Sequence, residues 1–303
     1  MRFDAVLIAG PTASGKSDAA VRLAEAINGV VINADSMQVY AEAPILTAQP
    51  DAAAQACVPH LMYGHVSARE VYSVGRWRQD AMAALDEARA MKRVPIFAGG
   101  TGLCFTTLTQ GLAEVPPIPP AIRAGARALL EEIGVAALHE RLANKDPKTA
   151  ARLRPTDPQR TLRAYEVFEA TGRPLADWQE GEAAPMLVGL RLARFVLDVP
   201  RPELRARIGA RFEAMVAHGG LEEALALKDL DPALPAAKLL GLRPLIALAE
   251  GRMGREAAVL EAVTATGQFA KRQMTWFRNR MADYVWFNPD ESNIIAQFEL
   301  VSV

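Results

Sequence analysis

The stretch FDAVLIAGPTASGKSDAAVRLAEAI, residues 3–27, decides the fold. Its first part, Phe3–Ala9, is an apolar run that predicts a buried parallel strand, and its last part carries apolar residues at helical spacing. The segment between them, GPTASGKS, matches the P-loop, in which backbone N–H groups at a helix N-terminus surround a phosphate. A plain glycine turn is the alternative, but the strand before and the helix after are the context that a P-loop requires. The predicted phosphate-binding residues are Gly10, Pro11, Thr12, Ala13, Ser14, Gly15, Lys16 and Ser17, with the Ser17 hydroxyl as a ligand of Mg²⁺.

Length and composition exclude several classes of protein. Half of the 303 residues are hydrophobic, and 34 Lys and Arg stand against 35 Asp and Glu, for a net charge of −1. A uniformly basic nucleic-acid binder is therefore excluded, although local basic patches are not. Two isolated cysteines do not make a disulfide framework or a zinc cluster, and the four histidines lack metal-ligand spacing. Without a signal peptide or an apolar run of membrane-spanning length, a cytoplasmic protein is expected.

The first ~110 residues alternate between strand and helix patterns, which predicts a parallel α/β sheet. One predicted strand, in GVVINAD, ends at Asp35, and another, in RVPIFAGG, ends just before Thr101. Ligands of such sheets bind at the carboxyl ends of the strands. Asp35 and Thr101 are therefore expected beside the P-loop, with Asp35 either on a metal ion or acting as a base.

A proline-rich stretch, EVPPIPPAIR, predicts a boundary because its prolines prevent a helix. The apolar spacing from Ala121 to about Gln179 is helical, with breaks at Gly134, Asp146-Pro147 and Asp157-Pro158. Residues 191–199 are expected to return to the sheet, and the remainder is predicted to be helical, including a long helix over 254–281. The predicted fold is α/β, a P-loop NTPase-like parallel sheet flanked by helices with a small all-helical insertion domain. Its core would be 1–115 and 187–303, and its insertion 116–186.

Three stretches are locally basic, at 151–163, 201–211 and 268–280. Each alone is more typical of a solvated helix face, but three together favour an extended polyanion as a partner. In the second, Leu204, Ile208, Phe212 and Met215 predict a buried stripe, so most of its arginines should face outward. Trp276 and Phe277 are interpreted as core residues rather than stacking platforms.

Several motifs together resemble bacterial-type tRNA dimethylallyltransferases, also called tRNA isopentenyltransferases. The resemblance covers nearly the entire chain and rests on GPTASGKS, DSMQVY, FAGGTGLCFTTLTQGL, DPQRTLRAYEV, RARIGARFEAM, LLGLRPL and FAKRQMTWFR. Three departures from the family pattern are Cys104 in place of a tyrosine, GLRPL in place of GYREL, and Leu61 in place of a second histidine.

The resemblance implies transfer of a dimethylallyl group from dimethylallyl diphosphate to N6 of the adenosine just 3′ of the anticodon, with release of diphosphate. It implies Mg²⁺ as cofactor, Asp35 as the base, and Lys16, Thr101 and Arg207 as a clamp on the diphosphate. The partner would be the tRNA anticodon stem-loop, and the protein is expected to be a monomer. The implied tRNA-binding residues are Asp35, Ser36, Met37, Gln38, Thr101, Arg123, Gln159, Arg160, Thr161, Leu162 and Arg163.

Three other functions remain open from the sequence. An adenylate isopentenyltransferase would act on a free adenine nucleotide, but the helical insertion and the basic C-terminal helix favour a larger substrate. A small-molecule kinase would place Asp35 on Mg²⁺, and GGTG in place of an acid at the second strand end disfavours it. A nucleotide-gated protein that binds RNA without modifying it is the third.

Overall fold

The structure, a computed structural model, describes residues 2–181 and 183–302. These residues form one parallel sheet with the strand order β3-β2-β4-β1-β5-β6. The strands are β1 Ala5–Ala9, β2 Gly29–Asn33, β3 His60–Leu61, β4 Val94–Gly99, β5 Leu192–Leu197 and β6 Val285–Phe287. The helices are α1 Lys16–Ile27, α2 Pro44–Thr47, α3 Ala52–Cys57, α4 Val74–Ala90, α5 Gly102–Thr109, α6 Pro120–Lys145, α7 Pro147–Ala150, α8 Pro158–Thr171, α9 Leu175–Glu180, α10 Arg201–Ala217, α11 Gly220–Ala226, α12 Leu242–Ala249, α13 Arg255–Arg280 and α14 Ile294–Ser302.

The strand that precedes the P-loop lies in the interior of the sheet. All five residues of β1 are buried, and β1 pairs with β4 on one side and β5 on the other. An uninterrupted apolar run suits this position because both faces of the strand are covered. The predicted α/β fold with a P-loop-type parallel sheet is confirmed, although β1 begins at Ala5 rather than Phe3 and β2 ends at Asn33 rather than Asp35.

Two short strands were not predicted. β3 has two residues, and β6 lies in the segment that the sequence assigned to helix, so that part of the prediction is wrong. A strand of three residues is too short to show a period of its own. β6 forms through its partner instead: Phe195 of β5 pairs with Val285, and the Phe195 and Phe287 rings meet edge to face at 6.2 Å.

The chain divides into two compact units. The first comprises the described residues up to Leu108 and from Leu187 onward, and the second comprises residues 109–186 without Glu182. The sequence placed the first boundary at 116, whereas residues 111–119, which form neither helix nor strand, group with the second unit. The predicted end residues Met1 and Val303 lie outside the described part.

Local signals place the helix breaks of the second unit. Gly134 interrupts α6 with a φ of 77°, and α7 and α8 begin at Pro147 and Pro158, so the three predicted breaks are confirmed. Proline suits a first helical position because the N–H that it lacks has no partner there. The helices enclose a small core that includes Leu138, Leu142, Ala164 and Tyr165.

In the first unit, the long C-terminal helix α13 packs against α10 and α12. The buried stripe predicted for α10 is confirmed, with Leu204, Ile208, Phe212 and Met215 all buried. Phe277 of α13 is fully buried, as predicted, and Trp276 is half-buried. Within the described residues, no helix combines the length and the apolarity needed to cross a membrane.

Candidate active site

The P-loop connects β1 to α1 through a tight backbone turn. Gly15 has a φ of 82°, in the left-handed region that favours glycine, and α1 begins at the next residue. The Ser14 N–H donates to the Pro11 carbonyl at 3.2 Å, which closes the turn. The Ser14 hydroxyl is buried and has no hydrogen-bond partner among the described residues. Because a buried polar group without a partner is costly, this hydroxyl indicates that the loop is built to hold a ligand.

Two cations stand at the loop, Lys16 buried and Arg211 half-buried. Burial lowers the pKa of Lys16 to about 8, with the Asp35 carboxylate opposing this shift and the Arg211 guanidinium adding to it. Burial also lowers the pKa of Arg211, again against the attraction of Asp35. Arg211 donates to the Thr12 hydroxyl at 3.1 Å. A pocket that brings two cations, one of them buried, near a single carboxylate has a deficit of negative charge, which a diphosphate would supply.

Asp35 lies in a loop whose shape Asn33 fixes. The Asn33 amide donates to the carbonyls of Asp35 and Met62 at 2.9 and 3.0 Å, and its oxygen accepts the Asp35 N–H at 2.8 Å. Asp35 Oδ1 accepts the Met37 N–H at 3.0 Å. The carboxylate is thus oriented by the backbone of its own loop and is half-buried.

The carboxylate faces groups that stay neutral. Burial raises the pKa of Tyr63, and the charge of Asp35 raises it further. The same two causes, in the same order, raise the pKa of the buried Cys104 thiol. Cys104, one of the departures from the family pattern, therefore adds a small uncharged group near Asp35.

Thr101 connects the two strand ends. Its hydroxyl accepts the Ser36 N–H at 3.0 Å and donates to the Ser36 hydroxyl at 3.2 Å, while its own N–H donates to the Ala34 carbonyl. Thr101 and the Asp35 loop are therefore adjacent. The part of Thr101 in a diphosphate clamp stays a prediction, since its hydroxyl is engaged with Ser36.

Gln273 of α13 links the P-loop to the turn after β4. Its side-chain oxygen accepts the Thr12 N–H at 3.0 Å, and its amide donates to the Gly100 carbonyl at 2.8 Å. A Cβ on Gly100 would lie 2.3 Å from the Gln273 nitrogen and 3.0 Å from Asp35 Oδ2, so a side chain at this position would have to displace Gln273. The P-loop, the turn after β4 and Asp35 therefore meet at one point.

A cavity of about 170 Å³ opens at this meeting point. P-loop residues 12–17 line it together with Asp35 and Gln38. The rest of the lining is mostly apolar and includes Met37, Leu46, Ile208, Phe212, Met215, Leu239, Leu240 and Phe269, with Thr47, Arg211 and Thr266 as its polar members. The cavity therefore offers a phosphate loop, a carboxylate and an apolar wall within one space.

Gln38 is buried in the wall of this cavity. Its amide nitrogen donates to the carbonyls of Thr47 and Ala48 at 3.1 and 2.7 Å. The amide nitrogen is therefore already engaged within the protein, and the side-chain oxygen is the group left to meet a ligand.

Arg207 reaches the P-loop from α10. One of its guanidinium nitrogens lies 3.8 Å from the position that a Cβ on Gly15 would take. The same guanidinium pairs with Glu203 at 2.5 Å and with Asp290. Arg207 and Arg211 are both turned toward the P-loop, so the expectation that most arginines of this stretch face outward holds only for Arg201 and Arg205.

The remaining predicted tRNA-binding residues lie in the second unit, at the start of α8 and on α6. Asp157 caps α8 by accepting the Arg160 N–H at 3.1 Å, and Gln159 and Arg160 are exposed. Arg163 is half-buried, 3.9 Å from Glu166, with Arg123 nearby. The Thr161 side chain is fully buried and Leu162 packs on the core, so the side chains available to RNA are those of Gln159 and the arginines.

Sequence reasoning missed Arg211 and Gln273. Both lie in motifs already singled out, RARIGARFEAM and FAKRQMTWFR. Arg211 follows Arg207 by four residues, a spacing that places both on one helix face, so this signal was present. No local pattern marks Gln273, since its partners are backbone groups far away in the sequence.

Comparisons with known proteins agree with this geometry. The family model described as IPP transferase matches residues 38–280, and that described as isopentenyl transferase matches residues 3–55. A tRNA dimethylallyltransferase of Rhodopseudomonas palustris (strain BisB18) is 50% identical over 293 residues, covering 96% of this chain and 93% of the relative. One of Azorhizobium caulinodans is 50% identical over 288 residues, covering 94% and 92%.

Solved structures give the same answer. The crystal structure of a tRNA isopentenylpyrophosphate transferase from Bacillus halodurans is 30% identical and covers 99% of this chain and 95% of that chain, with a TM-score of 0.68. The P-loop cavity, the matched family model and relatives at this identity over nearly the full length lead to one conclusion: the chain belongs to the IPP transferase family, whose curated members are named tRNA dimethylallyltransferase.

Proposed function

We propose that this chain transfers the dimethylallyl group of dimethylallyl diphosphate to N6 of the adenosine that follows the anticodon of tRNA on its 3′ side, releasing diphosphate. The observation that carries this proposal is the cavity that a phosphate loop, a carboxylate and a set of apolar side chains line together. A kinase pocket also needs a phosphate loop and a carboxylate. The apolar wall supports a substrate with a hydrocarbon group next to its phosphates.

The donor would lie with its diphosphate in the P-loop and its five-carbon group against the apolar wall. As the allylic C–O bond breaks, positive charge grows on carbon and negative charge on the departing oxygens. Preorganised donors stabilise such charge because they need no reorganisation during the reaction. The backbone N–H groups of the loop, Lys16 and Arg211 supply these donors, and Arg207 is placed to join them.

The acceptor would be an adenine whose exocyclic amine is a weak nucleophile, because its lone pair is delocalised into the ring. Asp35 would accept the proton as the C–N bond forms, a contribution of about 10²- to 10⁴-fold in rate for a well-placed base. The Gln38 oxygen, whose amide nitrogen is held by Thr47 and Ala48, would accept a hydrogen bond from the same amine. The target base must leave its stack to reach this cavity.

The residues present also fit Mg²⁺, which favours oxygen ligands. Ser17 and Asp35 both line the cavity, and the Ser14 hydroxyl of the same loop is buried with no hydrogen-bond partner among the described residues. Ser17 would hold the ion, whose charge would help neutralise the departing diphosphate.

The experiment incubates the protein with Mg²⁺, radiolabelled dimethylallyl diphosphate and unmodified tRNA, with AMP replacing tRNA in a parallel reaction. Label in tRNA alone supports the proposal. Label in AMP alone would identify an adenylate isopentenyltransferase. No label in either reaction, with turnover of ATP in a third reaction supplied with ATP and no prenyl donor, would favour a kinase. A tRNA with the adenosine after the anticodon replaced by guanosine is the matched control and should stay unlabelled.

A further inference from the structure

Glu223 of α11 makes a bidentate contact with the backbone of α2. Its Oε2 accepts the Ile45 N–H at 2.8 Å, and its Oε1 accepts the Leu46 N–H at 2.7 Å. Glu223 is far from this helix in sequence and half-buried. Both carboxylate oxygens are thus committed to two consecutive amides of one short segment.

Within the described part of the chain, α2 has no other cap for these amides. Its N-cap residue, Ala43, has no side chain that can accept a hydrogen bond, and Pro44 has no N–H. Ile45 and Leu46 therefore carry the free donors of the first turn. A carboxylate at this end also interacts favourably with the helix dipole. The Glu223 side chain replaces the missing local cap.

The other end of α2 holds the cavity wall and Gln38. Leu46, Thr47 and Ala48 line the cavity, and the carbonyls of Thr47 and Ala48 accept both hydrogen bonds of the Gln38 amide. The backbone of Ala48 has a φ of 50°, in the left-handed region that alanine rarely adopts, so this turn must be held by its surroundings. Among the residues that the structure describes, the Gln38 amide nitrogen donates only to these two carbonyls, so its orientation depends on this turn.

We infer that Glu223 is a positioning residue for the acceptor side of the reaction: through the amides of Ile45 and Leu46 it holds α2, and through the carbonyls at the end of α2 it orients Gln38 beside Asp35. This inference rests on the proposed function, since it assigns Glu223 to the adenosine side of the cavity. The P-loop side, which Gln273 and Arg211 hold, does not involve Glu223.

The test compares Glu223→Gln with Glu222→Gln, a matched control in which the neighbouring exposed carboxylate of the same helix is changed. Glutamine keeps the volume of Glu223 but accepts only one of the two N–H groups and turns an NH₂ toward the other. Burial raises the pKa of Glu223, although its hydrogen bonds to the two amides oppose this shift, so the buried negative charge is costly. The uncharged glutamine does not carry this cost. The melting temperature of E223Q should therefore stay within about 4 °C of the parent.

Steady-state prenyl transfer separates the two sides of the cavity. In E223Q, kcat/KM for tRNA should fall about 10- to 100-fold, as expected for a small displacement of a positioning group. The affinity for inorganic diphosphate, measured by calorimetry, should stay within about twofold, since the P-loop is untouched. E222Q should match the parent in both measurements. Equal losses in tRNA turnover and diphosphate affinity would overturn the inference, because they would indicate general disruption.

A double-mutant cycle tests the route through Gln38. If Glu223 acts by orienting Gln38, then adding E223Q to Gln38→Ala should lower kcat/KM by less than about threefold, since residues joined in one hydrogen-bond network are not additive. If the loss of kcat/KM in the double variant equals the product of the losses in the two single variants, the inference is overturned. If E223Q does not fold, E223D keeps the charge, shortens the reach and enters the same comparison. A parent protein inactive on tRNA would refute the proposed function instead, whereas an active parent with an unaffected E223Q would refute only this inference.

Discussion

Replacing Gln273 by alanine should lower both the stability of the first unit and the turnover of the active site. The substitution removes the acceptor for the Thr12 N–H and the donor to the Gly100 carbonyl, at 3.0 and 2.8 Å in the parent structure. Both backbone groups are buried, and leaving a buried group unpaired costs about 1–3 kcal/mol each, so the free energy of unfolding should fall by about 2–6 kcal/mol. At about 2 °C per kcal/mol for a chain of this size, the melting temperature should drop by about 4–12 °C.

Turnover should fall further than stability alone implies. The P-loop and the turn after β4 would no longer be tied to each other, and a displacement of about 1 Å costs about 10²-fold in rate. The assay is prenyl transfer to tRNA at a temperature where the variant is fully folded, with circular dichroism for the melting temperature. Gln268→Ala, an exposed glutamine on the same helix, is the stability control and should melt with the parent. A Q273A protein that melts and turns over like the parent would refute the reasoning.

Three more predictions concern single charges. Affinity for inorganic diphosphate should fall as pH rises through about 8, because the Lys16 side chain carries its positive charge only below its lowered pKa. Calorimetry over this pH range compares the parent with Lys16→Met. A fall in affinity near pH 8 that persists in the variant would count against Lys16. Asp35→Asn keeps the oxygen that accepts the Met37 N–H, so tRNA affinity should stay nearly intact. Without the base, kcat should fall about 10²- to 10⁴-fold. A single-turnover rate within a few-fold of the parent would exclude Asp35 as the base. Arg160→Ala should weaken tRNA binding and lower its salt dependence by about one phosphate contact, whereas Arg89→Ala, an exposed arginine of α4, should do neither in filter-binding titrations.

Local signals account for what the sequence could predict. Gly15, Lys16 and Ser17 mark the P-loop because the phosphate-binding turn needs these residue types at fixed spacing. Asp35 and Thr101 were expected beside the loop because the carboxyl ends of parallel strands meet at one edge. The two strand ends do meet, since the Thr101 hydroxyl accepts the N–H of Ser36, the residue after Asp35. The catalytic roles of Asp35 and Thr101 stay predictions.

The features that the sequence could not predict depend on tertiary contacts. Gln273 binds two backbone groups that no sequence pattern associates with it, and β6 exists only because β5 offers an edge. The use of the Gln38 amide by its own chain was likewise invisible, since Thr47 and Ala48 come near it only through the fold of α2. Residue type indicated that these side chains matter, and three-dimensional packing decided which of their atoms remain for a ligand.

The bond between Thr12 and Gln273 spans 261 positions of the chain. During synthesis Thr12 leaves the ribosome well before Gln273, the residue that fixes its amide. Contacts of such long range form late because the intervening chain must first be ordered. A nascent chain that stops before α13 therefore lacks the partner of its Thr12 amide, so fragments released early from translation are expected to lack the completed phosphate pocket and not to compete with the finished enzyme for its donor.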